Sequence, residues 1–417
     1  MESEERSAAY VRLLFWLLIP AAFFNGFDGE LRALLLPQIK ATFHVSVATV
    51  GLANIPIAAG SYVAFFVVRL ADRMGRRPLL LVSLFGYACF TGLTAASFSL
   101  WSFALFQSLS QIFLATEFAL AVTVISEEVE PEHRGRSLGR LLIAQPVGGI
   151  VIALLLAVGF LHTSLGWRSF YLVGILPAAA IGLARRNIKE TKVFLAGKHR
   201  DAKRAPLRDV FTEPWRTRVF ALGAISFLQK IPVTAGVGWW VYYAEKERHL
   251  STLLVSFDLA TAFTLGILGY LVCGRAIDRF GRKRVVTVFF SGACVFGIAL
   301  FQTSGEVGNF IFLALAVFFG LGISPALSAL SAESFPTRIR AQAGAVVGNG
   351  FANTGELTGP ALAGVCAASL GGIGNAVCVL TPLLLFAIPV LWRFVPETRA
   401  ANLETVDDAA RSPDATP

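Results

Sequence analysis

Long apolar runs separated by short polar breaks cover nearly the whole chain. About 20 mostly apolar residues suffice for a helix to cross the hydrocarbon core of a bilayer. Twelve runs come to that length: residues 12–36, 47–70, 79–98, 101–126, 138–160, 168–185, 218–243, 252–274, 284–303, 309–330, 342–368 and 373–395, numbered here as spans 1 to 12. Span 1 begins like a signal peptide, with an apolar core from Leu13 to Phe24. It continues through Asn25-Gly26-Phe27-Asp28 with no small-residue cleavage site, which predicts a spanning helix. A polar stretch over 186–217 divides the spans six and six. The pattern predicts an all-α membrane protein: twelve transmembrane helices in two pseudo-symmetric six-helix bundles, residues 1–185 and 218–395, with a cytoplasmic central loop over 186–217 and a cytoplasmic polar tail over 396–417.

The loops relate the two halves. Asp72-Arg73-Met74-Gly75-Arg76-Arg77 between spans 2 and 3 recurs 206 residues later as Asp278-Arg279-Phe280-Gly281-Arg282-Lys283 between spans 8 and 9. After span 4, Glu128 and Pro131 with Arg134 beyond them are echoed 205 residues on by Glu333 and Pro336, with Arg338 and Arg340 beyond. Glu190-Thr191 after span 6 is echoed by Glu397-Thr398 after span 12, at an offset of 207. Three echoes at nearly one spacing identify a two-fold internal repeat. In each basic loop a single glycine supplies a turn conformation that other residues adopt at a cost. The Asp beside the arginines pairs with them or caps a helix N-terminus.

Composition agrees: the chain is 55% hydrophobic and 15% charged, with mean hydropathy +0.66, so the bilayer is its expected solvent. The net charge of +9 would suggest nucleic acid in a soluble protein, but its distribution assigns it to topology. With both termini cytoplasmic, 30 of the 36 Lys and Arg fall in cytoplasmic segments. The expectation is a multi-pass protein of the plasma membrane (the inner membrane if bacterial), with lipid around it and no nucleic-acid partner. Five cysteines sit within or at the ends of apolar runs without metal-ligand spacing, as packing residues do. With no Walker loop and no nucleophilic or metal constellation, the chain reads as no enzyme. No cofactor is expected, and a proton gradient is the expected energy source.

Seven charged residues fall inside the spans, away from their ends: Asp28, Glu30, Arg32, Glu117, Lys230, Asp258 and Glu356. Each costs at least ~2.5 kcal/mol at the bilayer centre, so such residues usually face a cavity and carry function. Asp28 and Arg32, four apart, share a helix face. A local ion pair and a titrating Asp28 stand as alternative readings. Glu117 has no cation in its own span, which suits proton uptake and release unless another helix supplies a partner. Lys230, about twelve residues into span 7, is the only midplane cation. It is open to Glu117, to Asp28 or to a substrate carboxylate. Asp28, Glu117, Glu30 and Glu356 are thus the candidate proton-coupling groups. Lys230, Arg32, Gln107, Gln111, Gln145, Asn349 and Asn353 are candidate substrate contacts, and Trp239, Trp240 and Tyr243 are candidate linings of an outer cavity; helix packing is the alternative for each. All five histidines lie in predicted loops, so a relay within the membrane would use carboxylates.

Twelve spans, two halves and these loops resemble the major facilitator superfamily along nearly the whole chain. The family's loop runs G-x-x-x-D-R-x-G-R-R/K. The second copy matches from Gly274 through Asp278, Arg279 and Gly281 to Arg282 and Lys283; the first has Val68 at the leading Gly. The resemblance implies a gating role for Asp72, Arg73, Gly75, Arg76, Arg77 and their counterparts, with Glu128, Arg134, Glu333, Arg338 and Arg340, closing the cytoplasmic side when the cavity opens outward. Pro396-Glu397-Thr398 and Trp167-Arg168 are similar to the sugar porters and the metabolite and aromatic-acid:proton symporters. Asn25-Gly26-Phe27-Asp28 stands where the acid symporters carry D-G-x-D, Glu117 matches a Glu of their helix 4, and Gln107 occupies the place of a helix 4 Arg. The resemblance implies a secondary active transporter, with protons and a small organic solute such as an organic acid or sugar as its partners, working as a monomer by alternating access and proton symport. One rival is a proton-driven drug or cation efflux antiporter. Gln145-Pro146-Val147-Gly148-Gly149 partly matches its signature, and membrane carboxylates outnumber cations five to two. The other rival is a receptor or scaffold on the same fold that no longer transports.

Overall fold

The computed structural model describes residues 8–129, 131–185, 188–191, 194–195, 207–213 and 215–398, and the regular structure among them is helical throughout. The chain divides into two units, one built on residues up to Ser46, Ala53–Ala202 and Ser251–Ala260, the other on Val47–Leu52, Lys203–Leu250 and the residues from Thr261 on. The first half of the chain runs through α1 (Ala8–Leu34), α2 (Leu36–Phe43), α3 (Val47–Val68), α4 (Ala71–Met74), α5 (Arg76–Ala95), α6 (Leu100–Glu128), α7 (Pro131–Ala157), α8 (Arg168–Val173) and α9 (Ile175–Ala184). The second runs through α10 (Trp215–Tyr242), α11 (Thr252–Phe280), α12 (Arg282–Gln302), α13 (Glu306–Gly322), α14 (Ser324–Glu333), α15 (Thr337–Ala345), α16 (Asn353–Leu370), α17 (Ile373–Leu380) and α18 (Leu383–Phe394). Among the described residues, nine helical stretches are long and apolar enough to cross a membrane.

Four predicted spans are interrupted, each beside a proline. Span 1 gives way at Leu35 ahead of Pro37, span 6 at Gly174 ahead of Pro177, span 10 at Ile323 ahead of Pro325, and span 12 at Thr381-Pro382. Proline lacks the N–H that would bond the carbonyl four residues earlier, and its ring crowds that carbonyl. At the span 10 break the Ser324 hydroxyl donates to the Leu321 carbonyl at 2.9 Å, the acceptor that Pro325 cannot serve. Span 11 is α15, a π-helical turn over Val346–Ala352, and α16. Such turns are local insertions that often accompany functional sites.

The basic loops are tighter than predicted. α11 runs to Phe280, Gly281 alone makes the turn (φ 89°, ψ 157°), and α12 begins at Arg282. In the first copy Gly75 (φ 101°, ψ 160°) makes the same turn between α4 and α5. A side chain at either glycine would be strained by its positive φ. Its Cβ would also lie 2.4 Å from Glu190 Oε2 in one loop and 3.0 Å from Glu397 Oε2 in the other.

Each unit has its own apolar core, with Leu18, Leu80, Leu120 and Leu141 in the first and Ile225, Phe290, Leu330 and Leu391 in the second. Small residues let helix backbones meet where lipid tails provide no hydrophobic drive. A Cβ on Gly26 of α1 would lie 1.9 Å from the Gln145 carbonyl of α7, and one on Gly359 of α16 would lie 2.2 Å from the Ile231 carbonyl of α10. The repeat extends into packing. Gly86 abuts Phe113 and Gly292 abuts Phe319. Phe90 stacks on Phe113 at 5.7 Å and Phe296 on Phe319 at 5.6 Å, every partner displaced by 206.

Candidate functional site

At the loop end of each bundle a single Arg organises a clasp. Arg76 donates through Nε and Nη2 to the two carboxylate oxygens of Glu127, at 3.2 and 2.8 Å, and through Nη1 to the Ala71 carbonyl at 3.0 Å. Glu190 accepts from the backbone N–H of Arg76 at 2.9 Å and of Arg77 at 3.2 Å, so it caps the orphan donors that open α5. Thr191 Oγ1 completes the first clasp by donating to Glu127 at 2.6 Å. Arg282 repeats this with Glu333 (3.1 and 2.8 Å) and the Ile277 carbonyl (3.2 Å). Glu397 caps Arg282 and Lys283 at 2.9 and 3.1 Å, and Thr398 Oγ1 donates to Glu333. Bidentate Arg–carboxylate pairs are among the strongest polar contacts and fix geometry as well as charge.

This register corrects one expectation: the counterpart of Glu333 is Glu127, not Glu128. One residue turns a helix by about 100°, which carries Glu128 off the clasp to a site where it is 7% exposed. Asp278 lies 3.7 Å from Arg282 but is 76% exposed, a loose contact beside the one to Glu333. Arg279 lies over the ring of Phe280, Arg340 Nε donates to the Phe335 carbonyl, and Arg73 and Arg77 are exposed. A Cβ on Gly274 would meet nothing within 4 Å, so no close helix contact there depends on glycine. The side chains of Asp72, Arg134 and Arg338 lie outside the described residues.

Within the first bundle Asp28 is fully buried and neither carboxylate oxygen has a hydrogen-bond partner. Among the described residues no ion pair joins it to Arg32. Arg32 of its own helix and the buried Tyr87 of α5 and Tyr171 of α8 lie within electrostatic range of it. Glu117 has a partner at the far end of span 6: Arg185, at the end of α9, donates to it through Nη1 and through Nε to the Leu17 carbonyl at 2.9 Å. Both side chains are 1% exposed, so this dry pair ties α1, α6 and the end of α9 together. Arg185 heads the Arg185-Arg186 pair that closes span 6, and only its position against an apolar stretch could have marked it. Gln107 is fully buried and donates to Thr94 at 3.1 Å, Gln111 donates to Ser61 at 3.2 Å, and Gln145 donates to Asn25 at 2.8 Å. Glu30 and Arg32 are half-buried on α1.

In the second bundle Lys230 Nζ meets Glu356 Oε2 at 3.1 Å. Gly355 makes the meeting possible, since a Cβ there would lie 2.5 Å from the Phe227 carbonyl and 2.9 Å from Lys230 Cβ. Asn349 lies in the π-helical turn and Asn353 opens α16, both half-buried. Trp239, Trp240 and Tyr243 are placed in bundle packing. Trp239 Nε1 donates to the Pro360 carbonyl at 2.9 Å, Tyr243 donates to the Phe301 carbonyl at 2.9 Å, and Trp240 lies against the Tyr243 and Phe301 rings. All three are at most 3% exposed. Among the described residues no group of three His, Cys, Asp or Glu is placed to hold a metal ion.

The chain matches the family model of the Major Facilitator Superfamily over residues 18–257 and 234–415. It is 25% identical to a cis,cis-muconate transport protein of Acinetobacter baylyi, across 88% of this chain and 90% of that protein. It is also 25% identical to a 3-(3-hydroxy-phenyl)propionate transporter of Escherichia coli, across 82% of each. A solved bacterial homologue of the human lysosomal transporter Spinster superposes with a TM-score of 0.79 at 16% identity, covering 93% of this chain and 97% of that one. A D-xylose-proton symporter superposes with a TM-score of 0.75 at 17% identity, covering 93% and 99%. Repeated clasps, glycine-mediated helix contacts and the family model agree: this chain belongs to the Major Facilitator Superfamily.

Proposed function

We propose that the protein is a secondary active transporter that moves a small organic acid across the membrane by alternating access and proton symport, both termini being cytoplasmic. The observation that carries this reading is Asp28, a carboxyl inside the first bundle with no hydrogen bond to either oxygen. A charge at such a position needs a partner or a proton, and Arg32, the cation within electrostatic range, makes neither a hydrogen bond nor an ion pair with it. Relatives named for cis,cis-muconate and 3-(3-hydroxy-phenyl)propionate support an organic acid as cargo, and the fold shared with a D-xylose-proton symporter supports proton coupling. The rival cation antiporter rested on five carboxylates against two cations. Arg185 adds a third cation, which lowers that excess of carboxylates from three to two.

Proteoliposomes given a solute panel with and without an inward proton gradient test the reading. The wild type accumulates carboxylates only with the gradient. Asp28→Asn keeps counterflow exchange but no longer accumulates substrate against a gradient. A variant that accumulated like the wild type would remove Asp28 from coupling, and export of cationic dyes with no carboxylate uptake would sink the organic-acid symport assignment in favour of the antiporter.

A further inference from the structure

A transported carboxylate needs a cation within the membrane, and the described spans offer three. Arg185 is dry and already holds Glu117 and the Leu17 carbonyl. Arg32 lies near the end of α1, two residues before Leu34. Lys230 is the sixteenth of the 28 residues of α10, near the middle of the span. Its side chain and that of Glu356 are 36% and 46% exposed. An ion pair that accessible at that depth faces water rather than lipid, because hydrocarbon would tolerate neither charge.

We propose that the Lys230–Glu356 pair is the carboxylate-binding site, and that the substrate carboxylate takes the place of Glu356 on Lys230 Nζ; this rests on the transporter reading above. The chemistry is an exchange of like for like. A Lys ammonium has three rotatable donors and no fixed fork, so it changes carboxylate partners without rebuilding its surroundings. Glu356 on release meets the water to which it is already exposed. Because it competes for the same ammonium, it keeps binding reversible. Gly355 holds the helices close enough that the two side chains meet, while Thr234 Oγ1 donates to the Lys230 carbonyl at 2.7 Å one turn further along α10.

The test measures uptake of benzoate and cis,cis-muconate, with benzamide as an uncharged isostere of benzoate, by the full chain in proteoliposomes. Lys230→Gln raises the KM for the carboxylates about tenfold to a hundredfold, the range for losing a hydrogen-bonded charge, and raises that for benzamide far less. Lys230→Arg restores most of the affinity. Glu356→Gln lowers the KM severalfold because the internal competitor is gone, an outcome that a merely structural pair would not produce. An unchanged KM in Lys230→Gln, or a raised KM in Glu356→Gln, overturns the site while leaving the transporter reading intact. Wild-type uptake confined to uncharged solutes overturns the carboxylate assignment, and no uptake of any solute overturns both readings.

Discussion

The loop clasps and the buried charges follow opposite rules. Arg76 with Glu127, Glu190 and Thr191 is matched bond for bond by Arg282 with Glu333, Glu397 and Thr398. The charges inside the bundles have no such counterparts. At the repeat spacing of 206, Asp28 corresponds to Thr234, Glu117 to Ile323, Arg185 to Leu391 and Lys230 to Phe24. Even the ties at the other end of the bundles differ. Trp167 Nε1 donates to Thr42 in the first half, whereas Glu247 accepts from the N–H groups of Ile373 and Gly374 in the second. The loop clasps are alike in both halves, whereas the ionisable groups inside the bundles differ.

Three sets of substitutions probe that contrast, the largest expected effect first. Arg185→Leu copies the mirror residue Leu391 into the first bundle and strands Glu117 as an unpaired buried charge. A loss of about 3–5 kcal/mol is expected, read as a fall in the thermal unfolding midpoint in detergent. Adding Glu117→Gln should recover much of it, and no recovery would mean that Arg185 acts through packing alone. Gly26→Ala forces a Cβ onto the Gln145 carbonyl and should cost about 1–3 kcal/mol by overpacking. Gly274→Ala, with open space around it, should be nearly neutral in the same assay. Finally, Glu127→Gln and Glu333→Gln should each cost about 1–3 kcal/mol as a charged acceptor is lost. The two losses should agree closely, and Glu128→Gln should not reproduce them. Unequal losses would show that the clasps share geometry but not function.

Much of the fold was legible because it depends on local chemistry. Spans follow from apolar length and the loop turns from Gly75 and Gly281, but the breaks beside Pro37, Pro177, Pro325 and Pro382 do not follow from proline alone, because Pro20, Pro56, Pro146, Pro232, Pro360 and Pro389 sit inside unbroken helices. The register of the second repeat was not, because offsets of 205 and 206 both find a glutamate near the end of span 4. Only the direction of the helix face distinguishes Glu127 from Glu128. Arg185 was hidden for a related reason. An arginine at the end of a span looks like any other loop charge until the bundle folds it back onto Glu117.

Asp28, Glu117, Lys230 and Glu356 could all be named from the cost of placing charge in a membrane, which depends on each residue and its span alone. Whether each charge is stranded, paired or exposed depends on residues from other helices, more than 65 positions away for Glu117 with Arg185 and more than 120 for Lys230 with Glu356. Pairing energy falls with distance and changes with burial, and both are properties of how the helices pack. The chain's order therefore specified the apolar spans and the repeat, while helix packing left Asp28 without a hydrogen bond, gave Glu117 its dry partner and left the Lys230–Glu356 pair exposed.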